Sequence, residues 1–82
     1  MNQAHETSIR PIRAIRKDVL GVTQKQLADI AGVSQTSVSR WEDGTLSPNA
    51  SEMSRIRDFA RDNGKPWSDT WFFEPPRRET PQ

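Results

Sequence analysis

Between Thr23 and Gly44 the chain reads "TQKQLADIAGVSQTSVSRWEDG", and this stretch restricts the fold more than any other. Leu27 and Ala31 share a helical face at i, i+4, with Ala28 beside them. Thr23 and Gln26 form a T-x-x-Q capping box at the start of that helix: the threonine oxygen takes one orphan N–H and the glutamine reaches back for another. Gly32 stops the helix, because glycine adopts a left-handed conformation that a side chain resists. Ser34 then caps a further helix, in which Val38 and Trp41 face inward, and Gly44 ends it. Two short helices joined by about three residues with a glycine form a helix-turn-helix pattern.

The flanks extend the helical reading. From Ile9 to Leu20, Ile12, Ile15 and Val19 recur at helical spacing, and Gly21 closes the segment. Ser47-Pro48 starts a fourth helix with proline at its first position. Met53, Ile56, Phe59 and Ala60 give that helix its apolar stripe, and Gly64 ends it. "PWSDTWFF", Pro66 to Phe73, reads as a short fifth helix with Trp67 and Trp71 at i, i+4. No segment has strand periodicity. The expectation is one all-α domain over residues 9–73, with Leu27, Ala28, Val33, Val38, Met53, Ile56 and Phe59 in its core. Residues 1–8 are expected to be flexible, and the tail 74–82, "EPPRRETPQ", to be disordered.

Bulk properties narrow the function classes. An 82-residue chain buries a small core, and without cysteine neither disulfides nor thiolate metal sites reinforce it. Helix packing or dimerisation remains. The single histidine, His5, lies in the polar start, so a His-based catalytic or metal cluster has no basis. No enzyme activity and no cofactor are expected. No apolar run is long enough for a membrane span, and the start lacks a secretory signal; a cytoplasmic location is expected. Net charge is +1. Residues 1–41 hold six Lys or Arg against three acids, so this half is the better partner for a polyanion.

The helix after Ser34 carries the functional signal. With Val38 and Trp41 fixing its buried side, Thr36, Ser39 and Arg40 point nearly opposite, and Gln35 protrudes at the N-terminal end. Taken singly these would be ordinary solvated side chains. Together they suit a major groove, where glutamine pairs with adenine, arginine with guanine, and threonine meets a thymine methyl. Ser34, Ser37 and Ser39 let the backbone come close. A helix meant only for water would carry more Glu and Lys. Gln24 and Lys25, in the first turn of the preceding helix, suit phosphate contacts that set position without reading sequence.

At this point the stretch resembles the Cro/lambda-repressor-type (XRE) helix-turn-helix family. The matching residues are Thr23-Gln24, Leu27-Ala28, Gly32-Val33-Ser34, Val38-Ser39 and Trp41-Glu42 with Gly44, continued by Pro48, Ile56 and Ala60. The resemblance covers roughly residues 12–73. It implies a compact four- to five-helix lambda-repressor-like bundle that binds double-stranded DNA as a homodimer. Two recognition helices would then sit in successive major grooves, about 34 Å apart, over a near-palindromic operator. By position it implies base reading by Gln35, Thr36 and Ser37, with Ser39 and Arg40 near bases or backbone. Thr23, Gln24, Lys25 and Ser34 would lie at phosphates, and Thr45 would approach one through its amide. It further implies a buried pair between a first-helix arginine and Glu42. Arg16 is the candidate; one extra residue between Arg16 and Gln24 leaves Lys17 as an alternative.

Arg10, Arg13 and Lys17 are equally ordinary helix surface or DNA contacts. Trp67, Trp71, Phe72 and Phe73 close the core, with any excess available for a dimer interface. The expected function is that of a phage- or prophage-type or bacterial repressor without a small-molecule effector. The alternative is a protein-interaction module of the same fold, binding a toxin, a polymerase or another repressor, including an antitoxin that represses its own operon.

Overall fold

A computed structural model describes residues 10–74. The expectations for segment 1–8, and for the tail beyond Glu74, fall outside the described residues. Within them every regular element is helical: α1 (Pro11–Ala14) continuing into a π-helical segment (Ile15–Leu20), then α2 (Gln24–Ala31), α3 (Gln35–Asp43), α4 (Ala50–Asp62) and a 3-10 turn (Asp69–Phe72).

The first helix departs from the regular α-helix expected over 9–20. It begins at Pro11, whose fixed φ suits a first helical position, and widens at Ile15. The wide turns end in bonds from the amides of Gly21 and Val22 to the Arg16 carbonyl. Residues five apart in a regular α-helix lie roughly 140° apart; i→i+5 bonding brings them toward one face. Ile15 and Leu20 are accordingly both buried, and Val19 is left half-buried.

The next two helices begin and end where their capping chemistry dictates. Gln26 N donates to Thr23 Oγ1 at 3.0 Å and Thr23 N to Gln26 Oε1 at 2.8 Å, completing the box at α2. Gly32 (φ 76°) closes α2 in the left-handed region, and the Val33 amide returns to the Ala28 carbonyl. Arg55 on α4 donates to the Ala31 carbonyl at 2.9 Å, so a cation also covers that helix end. Ser34 Oγ accepts from Ser37 N at the start of α3.

The fourth helix starts two residues later than expected. Asn49, not Ser47, is its N-cap: Glu52 N donates to Asn49 Oδ1 and Asn49 N to Glu52 Oε1, both at 2.8 Å. A cap at Ser47 would place Ala50 third in the helix, where no side chain reaches back. Asn49 satisfies two orphan donors instead of one.

The largest side chains sealed from solvent are Ile15 in the π-helical segment, Leu27 in α2, Val38 in α3 and Ile56 in α4. Each such burial contributes about 1.5–3 kcal/mol, so the bundle is held where its four helices meet. Val33, Met53 and Phe59, expected in the core, are half-buried at its edge, whereas Ala14, Leu20, Ala31, Trp41 and Ala60 are inside. Small alanines at these places let the helices approach closely.

The expected fifth helix over 66–73 shrinks to one 3-10 turn. Trp67 Nε1 donates to Asp69 Oδ1 at 2.8 Å, bending the chain before a helix can form. The Trp67 ring meets Trp71 and Phe72 edge-on, at centroid distances of 5.8 and 5.3 Å. These three rings are half-buried against the core. Phe73 is 80% exposed.

Candidate nucleic-acid interface

The face of α3 is anchored from behind by an ion pair. Glu42 accepts from Arg16 through both carboxylate oxygens, Nε to Oε2 and Nη2 to Oε1, the latter at 3.1 Å. The side chains are 13% and 8% exposed. Arg16 Nη1 also donates to the Val22 carbonyl, so the guanidinium ties the first helix, the turn before α2 and the end of α3 together. Lys17 is exposed and takes no part.

From Glu42 a relay runs outward. Gln24 Nε2 donates to Glu42 Oε1 at 3.1 Å, and Gln35 Nε2 reaches Gln24 Oε1 at 3.5 Å, a long contact. A carboxylate only accepts, so the Gln24 amide turns its NH2 inward and its oxygen outward. That oxygen in turn draws the NH2 of Gln35. The part-buried charge pair thereby orients Gln24, and the exposed Gln35 lies beside it.

The remaining predicted residues divide by exposure. Gln35, Thr36, Ser39 and Arg40 are exposed, and Val38 and Trp41 form the opposite, buried side of α3. Ser37 is half-buried, and its hydroxyl hydrogen-bonds with that of Ser34 at 3.2 Å, so it turns toward the helix start more than outward. Lys25 is exposed on the first turn of α2. Thr23 Oγ1 accepts from Gln26 N, which leaves its hydroxyl proton to donate elsewhere.

Thr45 departs from expectation. Its amide donates to Asp43 Oδ1 at 2.8 Å and to the Arg40 carbonyl at 2.9 Å, and its hydroxyl also donates to Asp43. An amide engaged twice is not a free phosphate donor, and the adjacent carboxylate repels an anion. The Thr45 hydroxyl and amide hold the Asp43 carboxyl below the usual carboxylate range, assisted by the charges of Arg40 and Arg10. Asp43-Gly44-Thr45 is an Asx turn, in which the Asp side chain bonds the backbone two residues on. The sequence "EDGT" carries that signal, and reading Gly44 only as a helix stop misses it. Asn49 likewise escapes a reading centred on α2 and α3.

Among the described residues no group of His, Cys, Asp or Glu could hold a metal ion, and no helix is long and apolar enough to cross a membrane. The arrangement offers an exposed, hydrogen-bonding helix face flanked by cations on an otherwise closed bundle. The helix-turn-helix family model matches residues 12–59. No curated protein and no solved structure matches the chain at significant similarity. The matched span covers more than half of the 82 residues and runs from the first turn of α1 through α2 and α3 into α4. The chain belongs to the Cro/C1-type helix-turn-helix (XRE) family of DNA-binding transcription regulators.

Proposed function

We propose that the protein is a repressor that reads a near-palindromic operator as a homodimer, with α3 in the major groove. The observation that carries this reading is the exposed face of Gln35, Thr36, Ser39 and Arg40, with Gln35 beside the Gln24 that the Glu42–Arg16 pair holds. Ser37 plays a lesser part, next to the helix start. Thr23, Gln24, Lys25 and Ser34 line the phosphate side. The dimer contact falls on the C-terminal aromatic segment. Trp67, Trp71 and Phe72 are half-buried against the core, which leaves the exposed Phe73, beside Phe72, as the principal contact residue. Phe72 and Phe73 border an apolar groove of about 180 Å³ that Ala50 and Met53 also line.

Selection from a randomised duplex library at physiological salt tests the reading. One two-fold symmetric motif is the expected result, and its half-site spacing gives the dimer geometry. A lone half-site keeps the sequence reader and removes the dimer. Salt-sensitive binding without enrichment favours the second reading, a protein-interaction module, for which the exposed Phe73 beside that groove is the supporting observation.

A further inference from the structure

The end of α3 raises a question that the Thr45 geometry leaves open. The chain leaves the reading helix through Asp43, Gly44 and Thr45, and a chain leaving the groove passes the phosphates of one strand. The Thr45 amide is engaged there, and Asp43 adds a negative charge. Something else must make that passage favourable.

Arg10 lies at this point. A Cβ placed on Gly44 would meet Arg10 Nη2 at 2.5 Å, Cζ at 2.7 Å and Nε at 3.0 Å. Three guanidinium atoms therefore rest against the Gly44 backbone, in space that any other residue would fill. Gly44 has φ +88°, so the same glycine supplies both the left-handed turn and the seat for Arg10. A cleft of about 140 Å³ opens beside it, with Trp41 and Phe72 as apolar walls and Ser47 at its margin. Arg10 is nevertheless exposed and forms no ion pair within 4.0 Å among the described residues. Arg10 and Arg40 both act on Asp43, two positive charges against one negative. The exit of the reading helix is thus net positive, and its planar, donor-rich group is uncommitted.

We propose that Arg10 is the phosphate ligand at the end of α3, in the place expected of the Thr45 amide, and that Gly44 positions it. This rests on the reading of α3 as the groove helix. A guanidinium suits the task because its fork of N–H donors matches phosphate oxygens. Such a contact adds affinity without sequence preference.

The test is the salt dependence of operator binding by the full chain and by Arg10→Gln. Arg61→Gln, the same charge change on an exposed residue in the last turn of α4, measures the general effect of losing a charge. One phosphate contact contributes about 0.9 to the slope of log K against log salt. Between roughly 50 and 200 mM salt the wild type should therefore lose about 3.5-fold more affinity than Arg10→Gln. The loss in Arg10→Gln should be equal on operator and unrelated duplex, and Arg10→Lys should recover most of the slope. A slope for Arg10→Gln equal to that of the wild type, or to that of Arg61→Gln, overturns the proposal while leaving DNA reading intact. Failure of the wild type to bind any duplex overturns both.

Discussion

Arg16 and Glu42, 26 residues apart, meet as a two-pronged ion pair on the inner side of α3. Burial makes the pair demanding, since each charge has left most of its water behind. It contributes more to the arrangement of three chain segments than to net stability, because desolvation offsets much of the attraction. Losing one partner is a different matter. Arg16→Ala leaves the part-buried Glu42 carboxylate without its counter-charge, with the Gln24 amide still donating to it, and should cost about 2–3 kcal/mol. Lys17→Ala, at the exposed neighbouring position, should stay within about 0.5 kcal/mol. Urea denaturation of both variants decides it; equal losses would remove the special status of Arg16.

The same pair holds Gln24, with Gln35 beside it, and the roles of the two glutamines should separate. Gln35→Ala is expected to relax preference at one base pair, at a cost of ~1–3 kcal/mol there. Gln24→Ala should weaken binding to all sequences alike, with some added loss at the position that Gln35 reads, because the relay is cut. Affinities measured over a set of single-base operator variants give both results. Uniform losses in both variants would refute the division of roles.

The start of α4 gives a sharper stability test. Asn49→Ala removes a reciprocal cap and should destabilise by about 1 kcal/mol. Ser47→Ala, outside the helix, should change stability little. Thermal melts that rank the two in the opposite order would restore Ser47 as the cap.

Asp43 carries a pH dependence confined to its loop. Its folded carboxyl sits below the usual range because Thr45 donates to it. A carboxyl depressed in the folded state gives stability that is present above its unfolded value and is lost as pH falls through the folded one. The Thr45 amide should therefore lose protection in that acidic window, just below ordinary carboxylate titration. Amide exchange and chemical shifts of Thr45 report it, and Asp43→Asn should flatten the response. An unchanged titration in Asp43→Asn would assign the effect to another group.

Much of this architecture is legible in the sequence because local chemistry decides it. The Thr23–Gln26 box, the Ser34 cap, and the stops at Gly32 and Gly44 depend on residues within a few positions of one another. Val38 and Trp41 mark the inner side of α3 by spacing alone. Features set by distant partners are less legible. Ile12, Ile15 and Val19 fit a regular α-helix, and only the need to bury Leu20 and bring Arg16 to Glu42 selects the wide turn. Pro48 competes as a start signal with the stronger Asn49–Glu52 pair. The aromatic segment has helical spacing, yet a tryptophan side chain bonding Asp69 bends it first. On the candidate interface, the side chains of α3 are visible as a pattern. The seat of Arg10 on Gly44 is not, because 34 residues separate them.

The π-helical segment between Ile15 and Leu20 also has a bearing on chain length. Its widened turn holds one residue of slack between two fixed points, the guanidinium of Arg16 and the capping hydroxyl of Thr23. A shortening by one residue there could be taken up by rewinding to regular α-helical pitch, with both anchors left where they stand. The first helix can thus lose a residue at that point without shifting the exposed face of α3, whereas the tightly capped turn between Ala31 and Ser34 has no such reserve.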